Sequence, residues 1–143
     1  GELTLEAYQR MMNLHTTAPL FLSKALYHHL LERGRTGSII NIVDTRVSKP
    51  TASRVGYYLS KSALLEQTKV LAVALGPTLR VNAVSPGAVL SNGDEEYFKT
   101  MRRILPLGRT GTAEEVAEAA LYLLEADFVS GIELPVDGGQ KLL

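Results

Sequence analysis

The order of elements in this sequence predicts an α/β fold: a three-stranded parallel sheet with flanking helices, equivalent to half of a doubly wound domain. Three observations lead there. Segments with apolar residues at helical spacing alternate with short β-branched runs. Those runs, 38–44, 80–86 and 132–136, close on turn-forming residues: Asp44, Pro86-Gly87 and Asp137-Gly138-Gly139. The 143 residues allow one domain with a core, but three strands make only part of a sheet that needs cover on both faces.

The elements follow in order. From Leu5 to about Glu32, Met11, Leu14, Ala18, Leu22, Leu26 and Leu30 recur at helical spacing. Thr4 is placed to cap this helix and Glu6 suits the positive end of its dipole. Pro19 interrupts the pattern, so a kink or break is expected near Thr17. Gly34–Gly37 forms a turn, and Ser38–Asp44 reads as a strand buried on both faces. Tyr57–Leu75 is a second helix, stopped by Gly76-Pro77. Arg80–Ser85 is the next strand, and residues 91–103 form a polar excursion, acidic then basic. Thr112 opens a third helix with Glu115 at capping-box spacing, running to about Glu125. Ile132–Val136 is the last strand.

Composition narrows the function classes. Fifteen basic residues balance fifteen acidic ones, so no footprint for nucleic acid or an anionic membrane is present. No cysteine occurs, which excludes disulfides, thiolate metal sites and cysteine catalysis and fits a cytoplasmic, reducing setting. No apolar run reaches membrane-spanning length, and the opening GELTLEAYQR lacks the form of a signal peptide.

The chemistry concentrates at Tyr57 and Lys61, four residues apart and so on one helix face. A phenol with an ordinary pKa of about 10 is a poor acid–base catalyst near neutrality unless a cation stabilises its anion, which Lys61 can supply. By itself this spacing is that of any solvated helix pair. Its neighbours change the reading. The helix follows Ser38-Ile39-Ile40-Asn41-Ile42-Val43-Asp44 and precedes Arg80-Val81-Asn82-Ala83-Val84-Ser85-Pro86-Gly87. Pro106–Gly111, Glu114-Glu115-Val116 and Val136–Gly139 come after.

This ordered set resembles the second half of the short-chain dehydrogenase/reductase family over essentially the whole chain, and implies a Rossmann-type sheet. The resemblance implies that Tyr57 is the catalytic acid–base and that Lys61 lowers its pKa and holds the nicotinamide ribose. It further implies that Pro86 and Gly87 pass beside the nicotinamide, where a glycine permits close approach. Val89 would lie at the carboxamide, and Ser91 stands where the family usually has a cofactor-contacting threonine. The expected cofactor is NADP(H), with NAD(H) open. A homo-oligomer, dimer or tetramer, built on the first two helices is implied as well.

Two positions depart from the family. Its catalytic serine, thirteen residues before the tyrosine, is Asp44 here, and its structural asparagine falls on His15. His15 reads equally well as a satisfied helix histidine, and Asp44 as a turn cap. An aspartate in the serine slot is similar to pteridine reductases and dihydromonapterin reductases. Chemistry favours that reading of Asp44, because a carboxylate accepts hydrogen bonds from an amino-pyrimidine edge while a ketone needs a neutral donor. The resemblance therefore implies a pterin as the small-molecule substrate. A general carbonyl or enoyl-thioester reductase is the alternative, and a non-catalytic oligomerisation module a third.

The family's Thr-Gly-x-x-x-Gly-x-Gly turn, which receives the cofactor pyrophosphate at a helix N-terminus, does not occur in the 143 residues. About three βα units, on the order of 100 residues, would carry it. The segment is thus expected to be one partial domain, inactive alone. Strand 38–44 would present an open edge that recruits the missing half or other chains.

Overall fold

A computed structural model describes residues 3–49, 52–90 and 93–143. Strands β1 (Gly37–Ile42), β2 (Leu79–Pro86) and β3 (Glu133–Val136) form one parallel sheet in the order β1-β2-β3, as expected. Ile39 pairs with Val81, and Val84 pairs with both Ile42 and Leu134. The parallel register brings the turns that follow the strands, at Asp44, Gly87 and Asp137, to one end of the sheet. Ligands of open α/β sheets bind at that end.

Strand β2 is the spine, with Leu79, Val81, Ala83 and Val84 all at most 1% exposed. Its side chains alternate between faces. Ala83 packs with Leu64 of helix α3 (Val55–Ala74), together with Val43 and Val47. Arg80 and Asn82 turn to the other face, toward helix α5 (Ala113–Glu125), whose Leu123 is fully buried. Arg80 Nη1 donates to the carbonyls of Leu123 and Val129, and Nη2 to that of Leu124. A cation thus serves carbonyls that the end of a helix leaves unpaired.

Asn82, also fully buried, spans the loop between α5 and β3. Its Nδ2 donates to the Val129 carbonyl at 2.9 Å and its Oδ1 accepts from the Ile132 amide at 3.1 Å. Asn82→Leu strands both backbone groups, and should destabilise the full-length protein by about 2–5 kcal/mol. Urea unfolding checks this; a loss below about 1 kcal/mol would show that the loop finds other partners.

The first helical stretch is continuous but not uniform. Helix α1 (Leu5–Met12) passes through a π-helical turn, Asn13–Thr17, into α2 (Ala18–Glu32). The kink expected from Pro19 takes this form because proline has no N–H for the His15 carbonyl. The helix widens instead, and the Ala18 amide bonds to Asn13. Thr4 caps α1 as expected, accepting from the Ala7 amide at 3.2 Å. Gly56 lets this layer sit tightly on α3, since a Cβ there would lie 2.9 Å from Leu3.

One element was not anticipated. The polar excursion contains helix α4 (Glu95–Ile104). Asp94 caps it by accepting from the Tyr97 amide at 2.9 Å, with Glu95 and Glu96 in the first turn and Arg102 and Arg103 in the last. Its narrow apolar seam, Phe98, Met101 and Leu105, packs on Ala88. The acidic-then-basic order is the charge pattern of a short helix, which strand propensity does not register. Helix α5 has its capping box, with Thr112 and Glu115 each serving the other's backbone. Among the described residues no helix is long and apolar enough to cross a membrane.

Candidate active site

The site grows from the end of β1. Asp44 stops the strand because its Oδ1 accepts from the Arg46 amide at 2.8 Å, winding Thr45–Ser48 into a 3-10 turn. Its other oxygen faces α3. There the Tyr57 hydroxyl, in the first turn of that helix, donates to Asp44 Oδ2 at 2.9 Å. The adjacent Tyr58 is engaged elsewhere, donating to the Val47 carbonyl at 3.1 Å. Lys61 Nζ donates to the Ile42 carbonyl at 2.8 Å, so the third residue of the group is tied to the end of β1.

The acidity of Tyr57 runs opposite to the expectation from Lys61. Burial raises its pKa, and the negative charge and hydrogen bond of Asp44 raise it further, against smaller opposing effects of Arg46 and Arg54. The cation at i+4 is occupied by a carbonyl, while a carboxylate takes the phenol's proton side. Tyr57 is therefore held as a neutral donor. Burial lowers the pKa of Lys61, with Asp44 working against that shift.

His15, left open between function and packing, touches the site. Its ring meets that of Tyr57 edge-on, with centroids 5.7 Å apart and planes at 88°. Its Nδ1 lies 2.9 Å from Ser60 Oγ, and Ser60 Oγ donates to the Tyr57 carbonyl at 2.9 Å. With the serine proton spent, Nδ1 is the donor. Burial, then the charge of Lys61, lowers its pKa and favours the neutral imidazole. His15 thus braces the Tyr57 ring from the π turn.

The Pro86–Val89 turn forms the opposite wall, but its glycine serves a purpose the sequence did not disclose. A Cβ on Gly87 would lie 2.7 Å from both Asp137 Cβ and Gln140 Oε1. The close approach observed is that of the chain's own tail. Asp137 accepts from Thr45 Oγ1 at 2.5 Å and from the amides of Gly139 and Lys141, while Gln140 Oε1 accepts from the Ala88 amide at 3.0 Å. The segment after β3 therefore staples the Asp44 loop to the Pro86–Val89 turn. Ser91 lies outside the described residues.

Two cavities meet at Tyr57. One, of about 500 Å³, has Tyr57 and Asp44 on one side and Gly87, Ala88 and Val89 on the other. The second, of about 280 Å³, runs from Asp44 and Tyr57 past Arg46, Arg54 and Tyr58. Arg46 and Tyr97 were missed in the sequence. Arg46 Nη2 donates to the Tyr97 hydroxyl at 2.5 Å, with the guanidinium carbon 5.1 Å from the ring centre, joining α4 to the Asp44 loop.

The family model described as Enoyl-(Acyl carrier protein) reductase matches residues 1–141. The chain belongs to the short-chain dehydrogenase/reductase family. Dihydromonapterin reductase of Klebsiella pneumoniae is 34% identical over 136 residues, covering 93% of this chain and 57% of that enzyme. L-xylulose reductase of Homo sapiens is 34% identical over 147 residues, covering 96% and 60%. The crystal structure of FolM alternative dihydrofolate reductase 1 from Brucella canis, complexed with NADP, superposes with a TM-score of 0.91 at 34% identity, over 100% of this chain and 57% of that one. This short-chain dehydrogenase/reductase chain thus spans less than two thirds of the relatives it matches.

Proposed function

We propose that this chain is the catalytic part of an NADP(H)-dependent short-chain reductase that reduces a C=N bond of a dihydropterin. The observation that carries the reading is the 2.9 Å hydrogen bond from the Tyr57 hydroxyl to Asp44. It joins a proton donor to an acceptor for the N–H groups of an amino-pyrimidine, at the end of the sheet where ligands bind. The similarity to dihydromonapterin reductase and to a FolM protein supports the same choice.

The residues fit a nicotinamide ring and its ribose. A space of about 500 Å³ has Tyr57 on one side and Gly87–Val89 on the other, and Lys61 stands one helical turn from Tyr57, tied to the Ile42 carbonyl. Tyr57, Gly87 and Val89 line that space and would hold the group, with Lys61, Pro86 and Ser91 added on the resemblance alone. When bound, the cofactor supplies hydride; NADP(H) is the proposed form, because the FolM complexes contain NADP. Tyr57 gives its proton to the ring nitrogen and Asp44 orients the pyrimidine edge. A phenol with a raised pKa is protonated at neutral pH, which suits reduction better than oxidation.

The nucleotide-binding half would add to the open edge of β1, where Ile42 is 46% exposed. Homo-oligomer formation is proposed through α2 and α3, which leave Phe21, Leu22, Val70 and Val73 uncovered. A cytoplasmic location goes with this reading.

Carbonyl reduction is the second reading, favoured by the turn that Asp44 Oδ1 caps and by the likeness to L-xylulose reductase. The full-length protein with NADPH decides between them. The expected result is a kcat/KM for dihydrobiopterin at least about tenfold above that for dicarbonyls, since a charge-assisted hydrogen bond is worth about 1.5–3 kcal/mol. The reverse order would establish the carbonyl reading.

A further inference from the structure

The second cavity carries a charge that the reduction itself does not need. Four basic side chains, Arg46, Lys49, Arg54 and Lys141, line it against a single carboxylate, Asp44. Lys141 is paired with Glu133. Among the described residues, neither Arg46 nor Arg54 has a carboxylate within 4.0 Å. One donor of Arg46 is spent on the Tyr97 hydroxyl, and the ring holds the guanidinium in place. The fork's other donors remain for a partner of carboxylate shape.

Arg54 adds an independent observation. It caps α3 with φ +55°, the left-handed conformation that glycine or asparagine adopts at lower cost. An unfavourable residue held in such a conformation beside a catalytic group points to a use for its side chain. Arg54 lies three residues before Tyr57 and Arg46 two after Asp44, and both line the same two cavities as the Tyr57–Asp44 pair. The smaller cavity reaches Lys49, Tyr58 and Lys141, which the larger does not. A substrate whose reacting ring lies against Tyr57 therefore has room to place its far end beside these cations.

We propose that Arg46 and Arg54 form a carboxylate-selecting rim, and that the natural substrate bears an acidic group on the end remote from the bond reduced. This rests on the reductase reading and narrows its substrate to an acid-bearing one. For a pterin, the acid would sit on the side chain, not on the ring.

The test uses the full-length protein with NADPH and two matched pairs: dihydrofolate against dihydrobiopterin, and a β-keto acid against its methyl ester. The acidic member should be preferred in kcat/KM by about tenfold or more, the worth of one charge-assisted contact. Added salt should erode the preference, because the rim is exposed. In the double variant Arg46→Met, Arg54→Gly the ratio of acidic to neutral substrate should fall close to one. A ratio taken within one protein is independent of how much enzyme folds, and glycine suits φ +55°. An unchanged ratio in the double variant, or a preference for the neutral member, overturns the rim. Equal turnover of both pterins leaves the pterin reading standing without it. Turnover of the keto pair alone, with the acid preferred, removes the pterin and keeps the rim.

Discussion

If the proposed reduction holds, Tyr57→Phe is expected to lower kcat of the full-length protein by about 10²–10⁴-fold, the usual worth of a positioned proton donor. The substitution keeps the ring that His15 meets at 5.7 Å and removes only the hydroxyl bound to Asp44. Packing therefore survives, and so should cofactor affinity measured by fluorescence titration. Tyr58→Phe is the control. It gives up one hydrogen bond, to the Val47 carbonyl, and should cost about 1 kcal/mol of stability with little effect on kcat. Equal losses in the two variants would assign the chemistry to the wrong tyrosine. The same argument fixes the sign of a pH effect. Reduction needs the protonated phenol, and burial with Asp44 places its pKa above the ordinary 10. The rate of reduction should therefore hold through pH 9, well below the phenol's ionisation. A decline between pH 7 and 8 that vanished in Tyr57→Phe would contradict it.

Asp44→Ser should separate pterin from carbonyl chemistry. The carboxylate makes two contacts, one to the Arg46 amide and one from the Tyr57 hydroxyl. Serine can keep the turn, since its hydroxyl also accepts from a backbone amide two residues on. What it cannot supply is a charged acceptor for a pyrimidine edge. Dihydropterin kcat/KM should fall about 10- to 150-fold, corresponding to about 1.5–3 kcal/mol. Ketone reduction should hold or rise, because a neutral donor now faces the carbonyl. The variant should also lose activity at lower pH on the alkaline side, since one cause of the raised Tyr57 pKa is gone. A parallel fall in both activities would make Asp44 a turn cap and leave carbonyl reduction as the better reading.

The sequence by itself determined the scaffold and the family. Alternating periodicities placed all three strands within two residues of their observed ends, and capping residues marked the starts of α1 and α5. Such signals are local, carried by side chains that act on their own backbone. The short-chain dehydrogenase motifs were legible for the same reason, as ordered spacings along one chain. Helix α4 escaped because its signal is charge order over ten residues with only a narrow apolar seam.

Tertiary structure decided what each site residue faces. Spacing put Lys61 on the Tyr57 side of α3, but the end of β1 offered it a carbonyl, and Asp44 reached the phenol instead. Gly87 looked like room for a ligand, yet Asp137 and Gln140, some fifty residues downstream, occupy the space beside it. His15 could not be separated from a packing residue until the π turn set it against Tyr57 and Ser60. Arg46 and Arg54 carry no spacing signal, since only the meeting of the β1 loop with the first turn of α3 places two cations beside one tyrosine. In each case the partner is distant in sequence, and the fold alone determines the distance across which charge and hydrogen bonding act.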